Sequence, residues 1–176
     1  EAGGHGKSPE GVRKLREKEA WLAAGVLGVV EHDFWREPGG RLKASQPLVR
    51  RLADVLVDWR PQRVYVPHPG EEDADHQAAV RLVRTAVGRL PAAARPEILG
   101  YEFQTPLARF DVLLEVSNAI LAKLQAIRCY KSRRARLRLD LAAEALARYR
   151  GEMNCRPPDA PPRVRVYAEV FQKIAP

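Results

Sequence analysis

Apolar residues in this chain recur at spacings of three and four in several long stretches, with short β-branched runs between them. The first helix is marked by Ser8-Pro9-Glu10, a capping Ser, a Pro at the first helical position and an acid next. Its stripe, Val12, Leu15, Leu22 and Val26 with Ala23 and Leu27 beside it, runs to Gly28, a C-terminal glycine. Val29 to Trp35 predicts a strand, and Glu37-Pro-Gly-Gly40 a turn. Gln46 to Asp58 predicts a helix with Leu48, Leu52, Val55, Leu56 and Trp59 on its apolar side. Arg63 to Pro67 predicts a short buried strand, followed by a helix from about Asp75 to Leu90. Glu97 to Phe103 and Asp111 to Val116 predict strands. Ser117 is placed to cap a helix bearing Ile120, Leu121, Leu124 and Ile127, and a further helix covers Ala135 to Tyr149 and stops at Gly151. A proline-rich loop (Pro157, Pro158, Pro161, Pro162) precedes a last strand, Val164 to Ile174. Strands alternating with helices predict an α/β fold with a largely parallel sheet in one domain, 1–176. Such sheets usually open on a strand, whereas this chain opens on a glycine-rich loop and a helix.

Chemistry concentrates between Val64 and Ala79. An apolar run ends at Pro67, a loop rich in carboxylates follows, and Asp75-His76 opens the next helical stripe, on which His76 stands with Val80, Val83 and Val87. The end of a strand-loop-helix unit is where open α/β sheets place ligands. His with nearby carboxylates is also the donor set of a catalytic zinc site. The ordinary alternatives are a hydrogen-bonded core His, an N-cap at Asp73, a dipole-favoured Asp75 and a solvated loop at Glu71 and Glu72. Glu19 is a second candidate, because it falls on the first helix's apolar stripe and so requires a partner. Arg16, three residues earlier, is close enough to pair with it at the edge of the core.

Bulk composition narrows the class. The chain has 176 residues, 45% apolar and 30% charged, which reads as globular and not disordered. No apolar run is long enough for a membrane helix, and no export signal stands in the chain as given, so a cytoplasmic setting is expected. Cys129 and Cys155 have no paired spacing, which fits a reduced protein. Net charge is +8, and its densest cluster is Lys131, Arg133, Arg134, Arg136 and Arg138. With no interleaved aromatic residues after Tyr130, the cluster reads as the solvated face of a helix, and no nucleic acid partner is expected.

At this point the residues carry a resemblance. Arg16-Glu-Lys-Glu19 with Ala23 to Val29, Arg60-Pro61 through Asp75-His76-Gln-Ala-Ala79, Tyr101 to Leu107 with Lys123-x-x-Ala-Ile-x-Cys-Tyr-x-Ser132, and Tyr167-Ala-Glu-Val-Phe171 occur in family order. Together they resemble the LmbE-like (PIG-L-type) deacetylases, which are zinc enzymes that remove an N-acetyl group from amino sugars and glycoconjugates. The resemblance implies a Rossmann-like three-layer α/β sandwich with a mostly parallel sheet. It makes His76 a metal position and Asp75 a residue that holds a neighbouring group in place. Asp73 falls at the position of an oxyanion-stabilising His, a role that an Asp cannot fill unless protonated. Arg16 becomes a substrate-binding position oriented by Glu19. The cofactor is Zn2+ and the partner an N-acetylated sugar or glycoconjugate.

The family's first motif, Ala-His-Pro-Asp-Asp-Glu, has no counterpart; His68-Pro69-Gly70-Glu71-Glu72 imitates it but leads directly into the second motif. Gly3-Gly4 resembles the loop closing the family's first βαβ unit. The resemblance therefore implies that the N-terminal βαβ portion, about 30 residues or more, is missing. Two zinc ligands and the general base would be lost with it, leaving the chain inactive as written, with an exposed sheet edge. The rival readings are a non-catalytic carbohydrate-binding relative and a basic nucleic-acid-binding domain.

Overall fold

The computed structural model describes residues 8–134 and 137–176. Gly3-Gly4, Ala135 and Arg136 lie outside them. The described chain forms α1 (Pro9–Leu27), α2 (Gln46–Trp59), β1 (Arg63–Pro67), α3 (Ala74–Gly88), β2 (Glu97–Tyr101), β3 (Val112–Glu115), α4 (Ile120–Cys129), α5 (Lys131–Arg134), α6 (Leu139–Asn154) and β4 (Ala168–Ile174). It divides into two compact units, Glu1–Trp35 with Glu115–Ala168, and Arg36–Leu114 with Glu169–Pro176.

In the second unit the strands form one sheet in the order β1-β2-β4-β3. β1 and β2 are parallel, Arg63 opposite Glu97 and Pro67 opposite Tyr101. β2 and β4 are antiparallel, Ile98 opposite Ile174. The sheet is thus mixed, not mostly parallel. Helix alternation fixes strand direction only inside a crossover unit such as β1-α3-β2, and β4 reaches the sheet from elsewhere in the chain. Val66, Ile98, Leu99, Val170 and Phe171 are buried, and α3 covers β1 with Val80, Val83 and Val87, the predicted stripe. α2 packs on α3 through a face that includes Leu48, Val49 and Leu56.

In the first unit the α1 ends are as expected. Ser8 Oγ accepts from the Gly11 N–H at 3.2 Å, and Gly28 closes the helix at φ 68°. Its buried face differs from the expected one: Glu19, Ala20, Ala23 and Ala24 are buried, whereas Leu22 is 53% exposed. Small residues let α1 lie close against α4, and the large ones turn outward. Val29 to Trp35 forms no ladder among the described residues; instead the His32 and Phe34 rings stack at 4.4 Å beside Trp21. Ser117 does not cap α4, because its Oγ accepts from the Tyr167 N–H at 3.0 Å. α6 begins at Leu139 and runs through Gly151. Asp140, 1% exposed, accepts from Arg128 and Arg138, so part of the basic cluster is neutralised by a buried carboxylate.

Candidate active site around His76

Because β1 and β2 are parallel, their C-terminal ends lie side by side, and so do the loops that leave them. The His68 N–H donates to the Tyr101 carbonyl at 3.0 Å and begins to join these loops. The His68 ring continues the join: Nε2 lies 2.7 Å from the Thr105 carbonyl, and Nδ1 accepts from the Gly70 N–H at 3.1 Å. These partners put the proton on Nε2, commit both nitrogens, and leave the buried His68 as a structural residue with no lone pair for a metal.

Glu71 is the centre of the arrangement. Its side chain is fully buried. Oε1 accepts from the backbone N–H groups of Phe103 (3.0 Å), Gln104 (3.0 Å) and Thr105 (3.1 Å), and Oε2 faces His76 Nδ1 at 3.2 Å. Burial pushes this carboxyl up, but the N–H groups of Thr105 and Phe103, the His76 ring and the Gln104 N–H outweigh it and hold Glu71 below its ordinary value. Glu71 is therefore ionised and can only accept, so Nδ1 of His76 carries a proton, and in the neutral ring the lone pair is on Nε2. A carboxylate that orients a His through its other nitrogen is the usual support of a metal-binding imidazole. Among the described residues no three His, Cys, Asp or Glu side chains gather as a metal set.

The two aspartates position this helix end. Asp73 is the N-cap of α3, its Oδ1 accepting from the N–H groups of Asp75 (2.8 Å) and His76 (3.1 Å). Asp75 accepts from the N–H groups of Gly40 (2.6 Å) and Leu42 (2.9 Å), so its partners are a loop backbone and not an imidazole. Asp73→Ala is expected to cost about 1 kcal/mol in chemical denaturation, whereas Asp73→Asn keeps the cap and most of the stability.

In the first unit, Arg16 is exposed on α1. Glu19, 4% exposed, does not pair with it: its carboxylate accepts from the Ser132 N–H at 2.8 Å and the Ser132 hydroxyl at 2.6 Å. The Arg-x-x-Glu helix and the Tyr-x-Ser segment thus meet through Glu19. Glu71 is the residue that sequence reasoning passed over. The available signal was the sharp change from buried Val66 to a carboxylate run, which does not say which acid turns inward.

The PIG-L family profile, described as GlcNAc-PI de-N-acetylase, matches residues 1–87, a segment that contains Glu71, Asp73, Asp75 and His76. Among solved structures, a conserved protein from Thermus thermophilus is 26% identical with a TM-score of 0.77, over 95% of this chain and 74% of that one. GalB, the 4-carboxy-2-hydroxymuconate hydratase of Pseudomonas putida KT2440, is 22% identical with a TM-score of 0.74, over 98% and 76%. The N,N'-diacetylchitobiose deacetylase of Pyrococcus horikoshii is 20% identical with a TM-score of 0.76, over 97% and 67%. The last two likenesses speak for the fold, and a hydratase and a deacetylase on one fold show that the fold alone does not set the chemistry. Residues 1–87 are thus similar to the PIG-L family, and the chain as a whole shares the fold of these solved structures.

Proposed function

We propose that this protein is a hydrolase that removes an N-acetyl group from an amino sugar or glycoconjugate, with 1–176 as its single deacetylase domain and Zn2+ as its metal. The observation that carries the reading is the His76 ring, fixed through Nδ1 by buried Glu71, with the lone pair of its neutral form on Nε2, in the segment that matches the family profile. That donor fits zinc as one ligand. A catalytic zinc needs three protein ligands, so the reading requires two more beside His76. Zinc, when bound, polarises an amide carbonyl and lowers the pKa of its water. Glu71 holds the His76 ring, Asp73 holds the helix start and Asp75 holds the 40–42 backbone beside it. Arg16, whose planar fork suits sugar hydroxyls or a phosphate, is the proposed substrate contact of the first unit.

Two further observations are compatible with a cytoplasmic setting. Both cysteines are free, and among the described residues no helix is long and apolar enough to cross a membrane.

The test is zinc content by elemental analysis, on the 176-residue chain and on one extended by the coding sequence preceding residue 1, each beside its His76→Ala variant. Zinc near one per chain is expected in the extended form and should be lost with His76→Ala. Zinc that survives His76→Ala would remove His76 from the metal site, and the reading with it.

A further inference from the structure

Phe103 is a half-exposed aromatic residue, 49% accessible, beside the proposed metal ligand. Its ring stands edge to face against His76, with centroids 5.2 Å apart at 72°. The same buried carboxylate fixes both residues, because Glu71 takes the Phe103 N–H on one oxygen and His76 Nδ1 on the other. The aromatic wall is therefore held in register with the imidazole. The ring offers an apolar face to solvent next to the imidazole, and covering such a face with an apolar surface is favourable. A ligand bound beside His76 meets that wall. The apolar C–H face of a pyranose matches a flat aromatic ring in shape and polarity.

We infer that Phe103 is a substrate-contacting residue, the platform for the apolar face of the amino-sugar ring. The inference rests on the deacetylase reading and adds to it the surface that selects a sugar over other N-acetyl compounds. The experiment is an NMR titration of the 176-residue chain with two probes, N-acetylglucosamine and acetamide, on the parent and on Phe103→Ala and Phe103→Trp, with thermal melts as the fold check. Phe103→Ala is expected to weaken N-acetylglucosamine binding roughly tenfold and leave acetamide unchanged, with Phe103→Trp restoring the sugar. Unchanged sugar binding by Phe103→Ala overturns the platform and leaves the deacetylase reading standing. Equal weakening of both probes places the acetyl group on the ring and also overturns it. A parent chain that binds neither probe overturns the platform and leaves the deacetylase reading standing, because that reading rests on zinc in the extended chain.

Discussion

Glu71→Ala is expected to lower the free energy of unfolding by about 3–5 kcal/mol in urea denaturation. One carboxylate serves the N–H groups of Phe103, Gln104 and Thr105, and truncating it takes the acceptor from all three. The cavity adds to the loss. Glu71→Gln separates charge from volume. Its oxygen can still accept from the turn, but its amide then points N–H groups at His76 Nδ1, so the ring must move its proton to Nε2. Nitrogen NMR of the His76 ring reads this directly, as Nδ1–H in the parent and Nε2–H in Glu71→Gln. If the metal reading holds, zinc affinity falls about 10- to 100-fold in the same variant. An unchanged tautomer would mean that Glu71 does not set the ring.

The same carboxylate gives the protein a pH signature. The folded value of Glu71 lies below its ordinary value of 4.5. Its stabilising contribution is therefore fully present above about 4.5 and declines as pH falls below that, until it is lost beneath the lower folded value. Denaturation midpoints measured down this range should drop more steeply for the parent than for Glu71→Gln, which has no proton to take up.

The readability of the sequence followed the range of the interactions. α1 and α3 could be placed because their caps and stripes are written within a few residues: Ser8-Pro9 and Gly28 for one, Asp73 and the Val80-Val83-Val87 stripe for the other. His76 was found for the same reason. The role of Glu71 could not be read, since its backbone partners lie 32 to 34 residues further on and offer no side-chain signature. The stripe shows that Glu19 needs a partner and offers Arg16 as the nearest cation, whereas the partner in the fold is Ser132, 113 residues away. His68 shows the converse hazard. Its His-Pro-Gly-Glu-Glu context imitates a metal motif, while the fold uses both ring nitrogens to tie two loops together. Val29 to Trp35 has the composition of a strand, but a strand also needs a neighbour, and none pairs with it among the described residues.

Gly151→Ala should destabilise the first unit by at least about 2 kcal/mol, against the usual direction for glycine in a helix. The sequence suggested a helix stop at this glycine, yet α6 continues to Asn154, and Gly151 is kept for space. A Cβ there would stand 2.2 Å from the Val166 carbonyl oxygen and 2.6 Å from Tyr167 Cα, both backbone atoms with no rotamer to yield. Relief would have to move Tyr167. That residue packs in a core with Ile120, Leu124 and Ala147, takes the Val116 N–H on its carbonyl and gives its own N–H to Ser117. Gly25 is the control in the same unit: it is an exposed helical glycine whose added Cβ meets nothing within 4 Å. Gly25→Ala should raise stability by about 0.5–1 kcal/mol through helix propensity alone. Thermal melts of the two variants should therefore move in opposite directions, with hydrogen exchange accelerated along α6 only in Gly151→Ala. If Gly151→Ala were as stable as Gly25→Ala, the close approach of α6 to Val166 and Tyr167 would be wrong.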